Sequence, residues 1–174
     1  MLAQIDRAIG GLAFALAILA GVVLVIVTVL TCVSITGRAF VFAGLGPVPG
    51  DVELVQMAIA FAVTGCLPWC QWKRGHVTVD IFLGRFGRRF NAFVDVIANL
   101  MMTAVAVVIA WRVGAGMVSK MDSSFALETT FILGLPVWWG YAGVLACACI
   151  FALVCFWTVI RSIREVAGGE AIAP

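Results

Sequence analysis

The sequence predicts an all-α integral membrane protein: four transmembrane helices, with a short interfacial amphipathic helix between the second and the third. Three observations predict it. First, 64% of the 174 residues are hydrophobic and only 11% are charged, with a mean hydropathy of +1.16; soluble domains average about 45–50% apolar and about 25% charged. Second, four uncharged stretches (8–37, 54–72, 96–111 and 129–160) cover more than half of the chain, and about 20 apolar residues suffice to cross a hydrocarbon core of about 30 Å. Third, all six tryptophans fall near the ends of these stretches, where indole rings collect at membrane interfaces. The connections leave no room for a soluble catalytic domain, and the alternating polarity of a membrane barrel strand is missing. A net charge of +2 gives no reason to expect a nucleic-acid partner. The whole chain, 1–174, reads as one four-helix domain with approximate spans 9–36, 52–72, 90–112 and 137–160.

The first span follows seven residues. Its uncharged run has 30 residues where a signal peptide has about 7–15, and no small-residue cleavage site follows it, so it is expected to be a retained helix. It exceeds the core thickness and must tilt or project. Gly46-Pro47-Val48-Pro49-Gly50 stops that segment, and span two opens on Asp51 as candidate N-cap with Glu53 in the first turn; both acids suit a helix N-terminus. Pro68 near the far end is expected to kink the span or loosen its last turn. Span three places Asp95 about one turn inside an interface, sparing it the roughly 2.5–3.5 kcal/mol that a charge costs at a helix centre. The last run is too long for one span. Leu135-Pro136 divides it, with Pro136 near the first turn of span four and 123–135 as a surface loop.

Between spans two and three, Phe82, Phe86 and Phe90 recur at four-residue intervals beside Arg85, Arg88 and Arg89. That pattern predicts an interfacial helix at about 77–89, although Gly84 and Gly87 weaken it. Orientation follows from the cations. Arg7, five basic residues of the second loop, Arg161 and Arg164 lie on one side, eight in all, against Arg38, Arg112 and Lys120 on the other. Both termini and the second loop are therefore expected in the cytoplasm.

Few residues offer chemistry. A membrane thiol oxidoreductase would need a close, exposed cysteine pair of low pKa. Cys66 and Cys70 share a helix face, but all six cysteines lie in apolar runs, where the thiol is a small packing group. His76 is the only histidine, so neither bis-histidine haem nor a zinc set is available within the chain. No catalytic, cofactor or metal residue is expected. A membrane anchor of a respiratory enzyme is an alternative beside the thiol enzyme. A solute carrier acting alone would carry charges or broken helices near the midplane, and spans one, two and four have no ionisable residue there. Two faces instead suit helix contacts. Arg88, Asn91, Asp95, Asn99 and Thr103 form a polar seam on span three, read as cross-helix bonding ahead of substrate binding, and Ala13, Ala17 and Gly21 form a small-residue strip on span one.

The order of three segments is distinctive: Arg38-Ala39-Phe40-Val41-Phe42, then Pro49-Gly50-Asp51-Val52-Glu53-Leu54, then Lys73-Arg74-Gly75-His76-Val77-Thr78-Val79-Asp80. With Leu135-Pro136-Val137-Trp138 before span four, they resemble the small permease (Q) subunit of TRAP transporters, the tripartite ATP-independent periplasmic systems. The resemblance covers nearly the whole length. It implies a bacterial inner-membrane protein, not an enzyme, that pairs with a large permease (M) subunit and a periplasmic substrate-binding protein. Such systems import small organic acids on an ion gradient, usually sodium. The large subunit holds the solute and ion sites and the small one braces it, with no cofactor. Arg38, Glu53, Gly75 and His76 match the recurrent motif. Together with Asp51, Asp80, Asp95, Asn99, Pro136 and Trp138 they are the expected structural or partner-interface residues. Arg38 and Glu53 flank the first outer loop, where they are expected to form an ion pair or to contact the binding protein. Gly75 suits a turn, with His76 capping the interfacial helix.

Overall fold

The computed structural model describes residues 2–73, 88–121, 129–130 and 132–168. Four long helices account for nearly all of them: α1 (Leu2–Ala39), α2 (Asp51–Trp72), α3 (Arg88–Met121) and α4 (Val137–Gly168), with a single 3-10 turn, Val41–Ala43, after α1. Each is long and apolar enough to cross a membrane. Residues 77–87 of the predicted interfacial helix, among them Asp80, and the preceding Gly75 and His76 lie outside the described residues; its last two positions, 88 and 89, belong to α3.

The helices do not stand in chain order. α1 packs on α2, α2 on α4 and α4 on α3, while α1 and α4 touch only slightly. Ser34 meets Asp51 at one end of the α1–α2 pair and Gly10 meets Trp72 at the other, so these two run antiparallel. α3 and α4 are antiparallel as well, with Gly116 against Tyr141 and Asn99 bonded to Ser162. α2 and α4 run parallel, since Met57 lies on Gly140 and Gln71 on Thr158. One end of the bundle, the terminal end, therefore carries the start of α1, the end of α2, the start of α3 and the end of α4. The other, the distal end, carries the α1–α2 and α3–α4 loops.

At about 1.5 Å per residue the 38 residues of α1 run for about 57 Å, well beyond a hydrocarbon core. Its buried face is Gly10, Ala13, Ala20, Val27 and Ser34, and from Ala13 onward these recur every seven residues, the repeat of left-handed helix pairs. This face is displaced from the expected strip. Ala13 is fully buried, but Ala17 and Gly21 are half-buried and nothing packs on Gly21; Ala20 is the residue that meets Gly65 of α2. α2 runs helical through Pro68 to Trp72, with Pro68 itself buried and the Lys73 amide bonded to Trp69 O at 3.0 Å. Its N-cap is Gly50 rather than Asp51. At φ +77° Gly50 takes the left-handed conformation that glycine adopts without strain, and a Cβ there would run into Leu133 at 2.5 Å. Most large apolar side chains of α1 and α3 are exposed, as expected of surface that faces lipid.

Candidate functional site: polar clusters at the two ends of the bundle

Polar side chains meet in three places. The first joins α2, α3 and α4 in the terminal half. Gln71 Nε2 donates to Asn99 Oδ1 at 2.8 Å and to Thr158 Oγ1 at 3.1 Å. Asn99 Nδ2 donates to Ser162 Oγ at 2.9 Å and to the Asp95 carbonyl at 2.9 Å, and Thr158 Oγ1 donates to Cys155 O. All four side chains are buried. Each amide and hydroxyl is used where apolar surroundings would otherwise charge the full cost of desolvation. In lipid a single interhelical bond averages only about 0.6 kcal/mol. A connected set still fixes which faces meet, because any other rotation leaves several groups unmade at once.

The second cluster ties α1 to α4 beside α2. Asp6 Oδ1 accepts from Trp157 Nε1 at 2.8 Å and lies 4.0 Å from Arg161 Nε. The Arg161 guanidinium sits 5.0 Å over the Trp72 ring, in the range of a cation–π contact. Arg161 is only 3% exposed, so a residue counted among the cytoplasmic cations by sequence is in fact enclosed. Trp72 is buried with it and its indole lies on Gly10, where a Cβ would come within 2.8 Å of the ring. Two tryptophans that looked like interface anchors thus face inward to bond or pack, whereas Trp111 and Trp139 are largely exposed.

The third cluster lies at the distal end. Ser34 Oγ donates to Asp51 Oδ2 and accepts from the Val48 amide at 3.3 Å, while Asp51 Oδ1 takes the Val52 amide at 2.8 Å. Arg38 is close enough to act electrostatically on Asp51. Glu53 reaches the other way. Its two oxygens accept the amides of Ile132 and Leu133 at 3.1 and 3.2 Å, which sets it on the α3–α4 loop. That loop closes on itself through Thr130 N to Leu135 O at 2.9 Å and Gly134 N to Thr130 O at 3.0 Å, with Thr129 bridged to Pro136. Pro136 directly precedes α4, and its carbonyl accepts the Trp139 amide at 3.2 Å. Trp138 stacks edge-on with Trp139 at 6.0 Å. Below Glu53 a cavity of 470 Å³ lies between α2, α3 and α4.

Of the polar seam expected on α3, Asn99 makes the cross-helix bonds and Thr103 bonds back to the Asn99 carbonyl. The side chains of Arg88 and Asn91 lie outside the described residues. Sequence reasoning missed Gln71, Thr158, Ser162 and the inward turn of Arg161. The spacing of Thr158, Arg161 and Ser162 by three and four on one helix face was the available signal. All six cysteines are free thiols, with Cys66 exposed and Cys147 and Cys155 buried. Among the described residues no group of three His, Cys, Asp or Glu side chains is placed to hold a metal ion.

Four membrane-crossing helices whose buried polar groups bond helix to helix define a packed helical membrane component. Its affiliation follows from the sequence pattern carried by this frame. The family of tripartite ATP-independent periplasmic transporters, DctQ component, matches residues 27–167, and the chain belongs to it as a small permease component of a TRAP transporter. No curated protein and no solved structure matches the chain significantly.

Proposed function

We propose that this chain is the non-catalytic brace of its transporter: it pairs with a large permease subunit that carries the solute and ion sites, and it offers its distal end to a periplasmic substrate-binding protein. In this reading the system imports small organic acids on an ion gradient, probed first with sodium. The chain sits in a bacterial inner membrane with both termini in the cytoplasm, so the distal end faces the periplasm. The observation that carries the proposal is the use of the polar groups. Gln71, Asn99, Thr158 and Ser162 bond to one another across three helices, and Asp51 and Glu53 bond to Ser34 and to the α3–α4 loop. Both clusters hold helices and loops in place, as a brace requires. The excess of cations on the terminal side supports the orientation.

Co-expression with the large subunit tests it. A stable heterodimer and loss of solute uptake when this chain is deleted are expected. Failure to copurify, with uptake intact in the deletion, contradicts it. Replacing Cys66 and Cys70 by serine is expected to leave uptake near wild type, whereas a thiol enzyme would be abolished.

A further inference from the structure

The distal cavity has a construction that the bracing contacts alone do not account for, although Glu53 at its edge also holds the amides of Ile132 and Leu133. Its floor is the first two turns of α4, where Tyr141 and Val144 share a face. One wall is α2, through Met57 and Ala60, and the other is α3, through Val113. Glu53 and Gln56 stand at its distal edge, about two turns and one turn from Ala60 along α2. From Glu53 to Ala60 the site therefore extends about 10 Å along the helix axis, within the depth of one leaflet of a core about 30 Å thick. Glu53, Gln56 and Thr130 lie toward the end where α2 and α4 begin, and Ala60 and Val144 lie deeper. At 470 Å³ it falls among pockets that enclose a small organic ligand, about 300–1,000 Å³.

We propose that this cavity is a binding site for one molecule of an aminophospholipid from the surrounding leaflet. The upper part of one acyl chain lies between Met57, Ala60, Val113 and Val144, and the ammonium headgroup is held at Glu53. The gradient from carboxylate and amide to hydrocarbon runs in the same direction as the leaflet's own. That is what distinguishes a lipid from a protein side chain as the occupant, since a side chain from a neighbouring helix enters across the leaflet and has no need of a polar edge at headgroup depth. The Glu53 carboxylate selects for a cationic headgroup over an anionic one. An ammonium with its N–H donors intact makes a charge-assisted bond there that a trimethylated one cannot make, while the Gln56 amide is suited to donate to the phosphate. The site follows from membrane insertion alone and is independent of the assembly proposed above.

The test is native mass spectrometry of the full-length purified chain, delipidated and titrated with phosphatidylethanolamine, phosphatidylcholine and phosphatidylglycerol of matched acyl chains. One equivalent of phosphatidylethanolamine is expected to persist after the other lipids are stripped, with retention falling from phosphatidylethanolamine to phosphatidylcholine to phosphatidylglycerol. Glu53→Gln is expected to lower that retention about tenfold, the loss of one charge-assisted contact. Ala60→Phe fills the cavity and removes the bound lipid, with Val144→Phe as a second filling variant should the first not fold. Val63→Phe, on an exposed part of α2, leaves it in place. Equal retention in the filled variants, or a preference for phosphatidylglycerol, overturns the proposal. It is also overturned if the complex with the large subunit carries no such lipid and Ala60→Phe dissociates that complex, for the cavity then belongs to a protein side chain. Loss of the heterodimer with lipid retention intact refutes the brace and leaves the lipid site standing.

Discussion

The terminal and distal halves of α2 and α4 are the same two parallel helices, yet they are held by different means. In the terminal half Gln71 and Thr158 bond directly, Asn99 and Ser162 bring in α3, and Trp72 with Arg161 closes on α1. In the distal half the contacts between these helices are apolar, with Met57 on Gly140 and Phe61 on Gly143, and a cavity remains beside them. There the polar groups leave the α2–α4 face: Asp51 bonds Ser34 on α1, and Glu53 takes the amides of 132 and 133 in the α3–α4 loop. Lipid exerts no hydrophobic pressure between helices, so polar bonds and close small-residue contacts decide which faces meet. For the α2–α4 pair that decision lies at the terminal end.

Substitutions in the two halves are expected to differ in size. The largest effect is expected from Gly10→Leu, which drives a side chain into the Trp72 indole and is expected to destabilise the bundle by about 3 kcal/mol, the upper part of the overpacking range. Thermal unfolding in detergent measures it, and an unchanged midpoint would mean that α1 is not seated on Trp72. Asn99→Leu comes next, at about 2 kcal/mol, because Gln71 and Ser162 each lose a buried partner. Pairing it with Gln71→Leu in a double-mutant cycle is expected to show strong coupling, and simple additivity would break the contrast between the halves.

Glu53→Ala is expected to cost about 1 kcal/mol, since its two bonds are exposed. Its signature is local: faster hydrogen exchange at Ile132 and Leu133 with the terminal half unaffected. The smallest effect is expected at Ala60, where Ala60→Leu enters the cavity and changes stability by no more than about 0.5 kcal/mol. A large loss there would show the distal half to be as closely packed as the terminal half.

The four helices were legible because composition and run length alone require them. The polar seam on α3 was legible as a face, through the four-residue spacing of Asp95, Asn99 and Thr103. Its partners were not. Periodicity says which residues of one helix point together but carries nothing about which neighbour they meet, and four helices of similar apolarity give no clue that α4 inserts between α2 and α3. Glu53 illustrates a second limit. A cation nearby in sequence drew attention to Arg38, whereas the bonds the structure describes run to backbone amides, which leave no mark on the sequence. Arg161 shows a third, because a cation near a helix end has the same letter whether it faces water or lies against Trp72 and Asp6.

The central claim is that the buried polar groups of this chain hold helices together and take no part in moving solute. Uptake by proteoliposomes containing the assembled transporter with Asn99→Leu, normalised to the amount of complex recovered, tests it most directly. The account predicts less complex but wild-type uptake per complex. Normal recovery of a complex that no longer transports would contradict it and would make the Gln71–Asn99 cluster part of the solute's path.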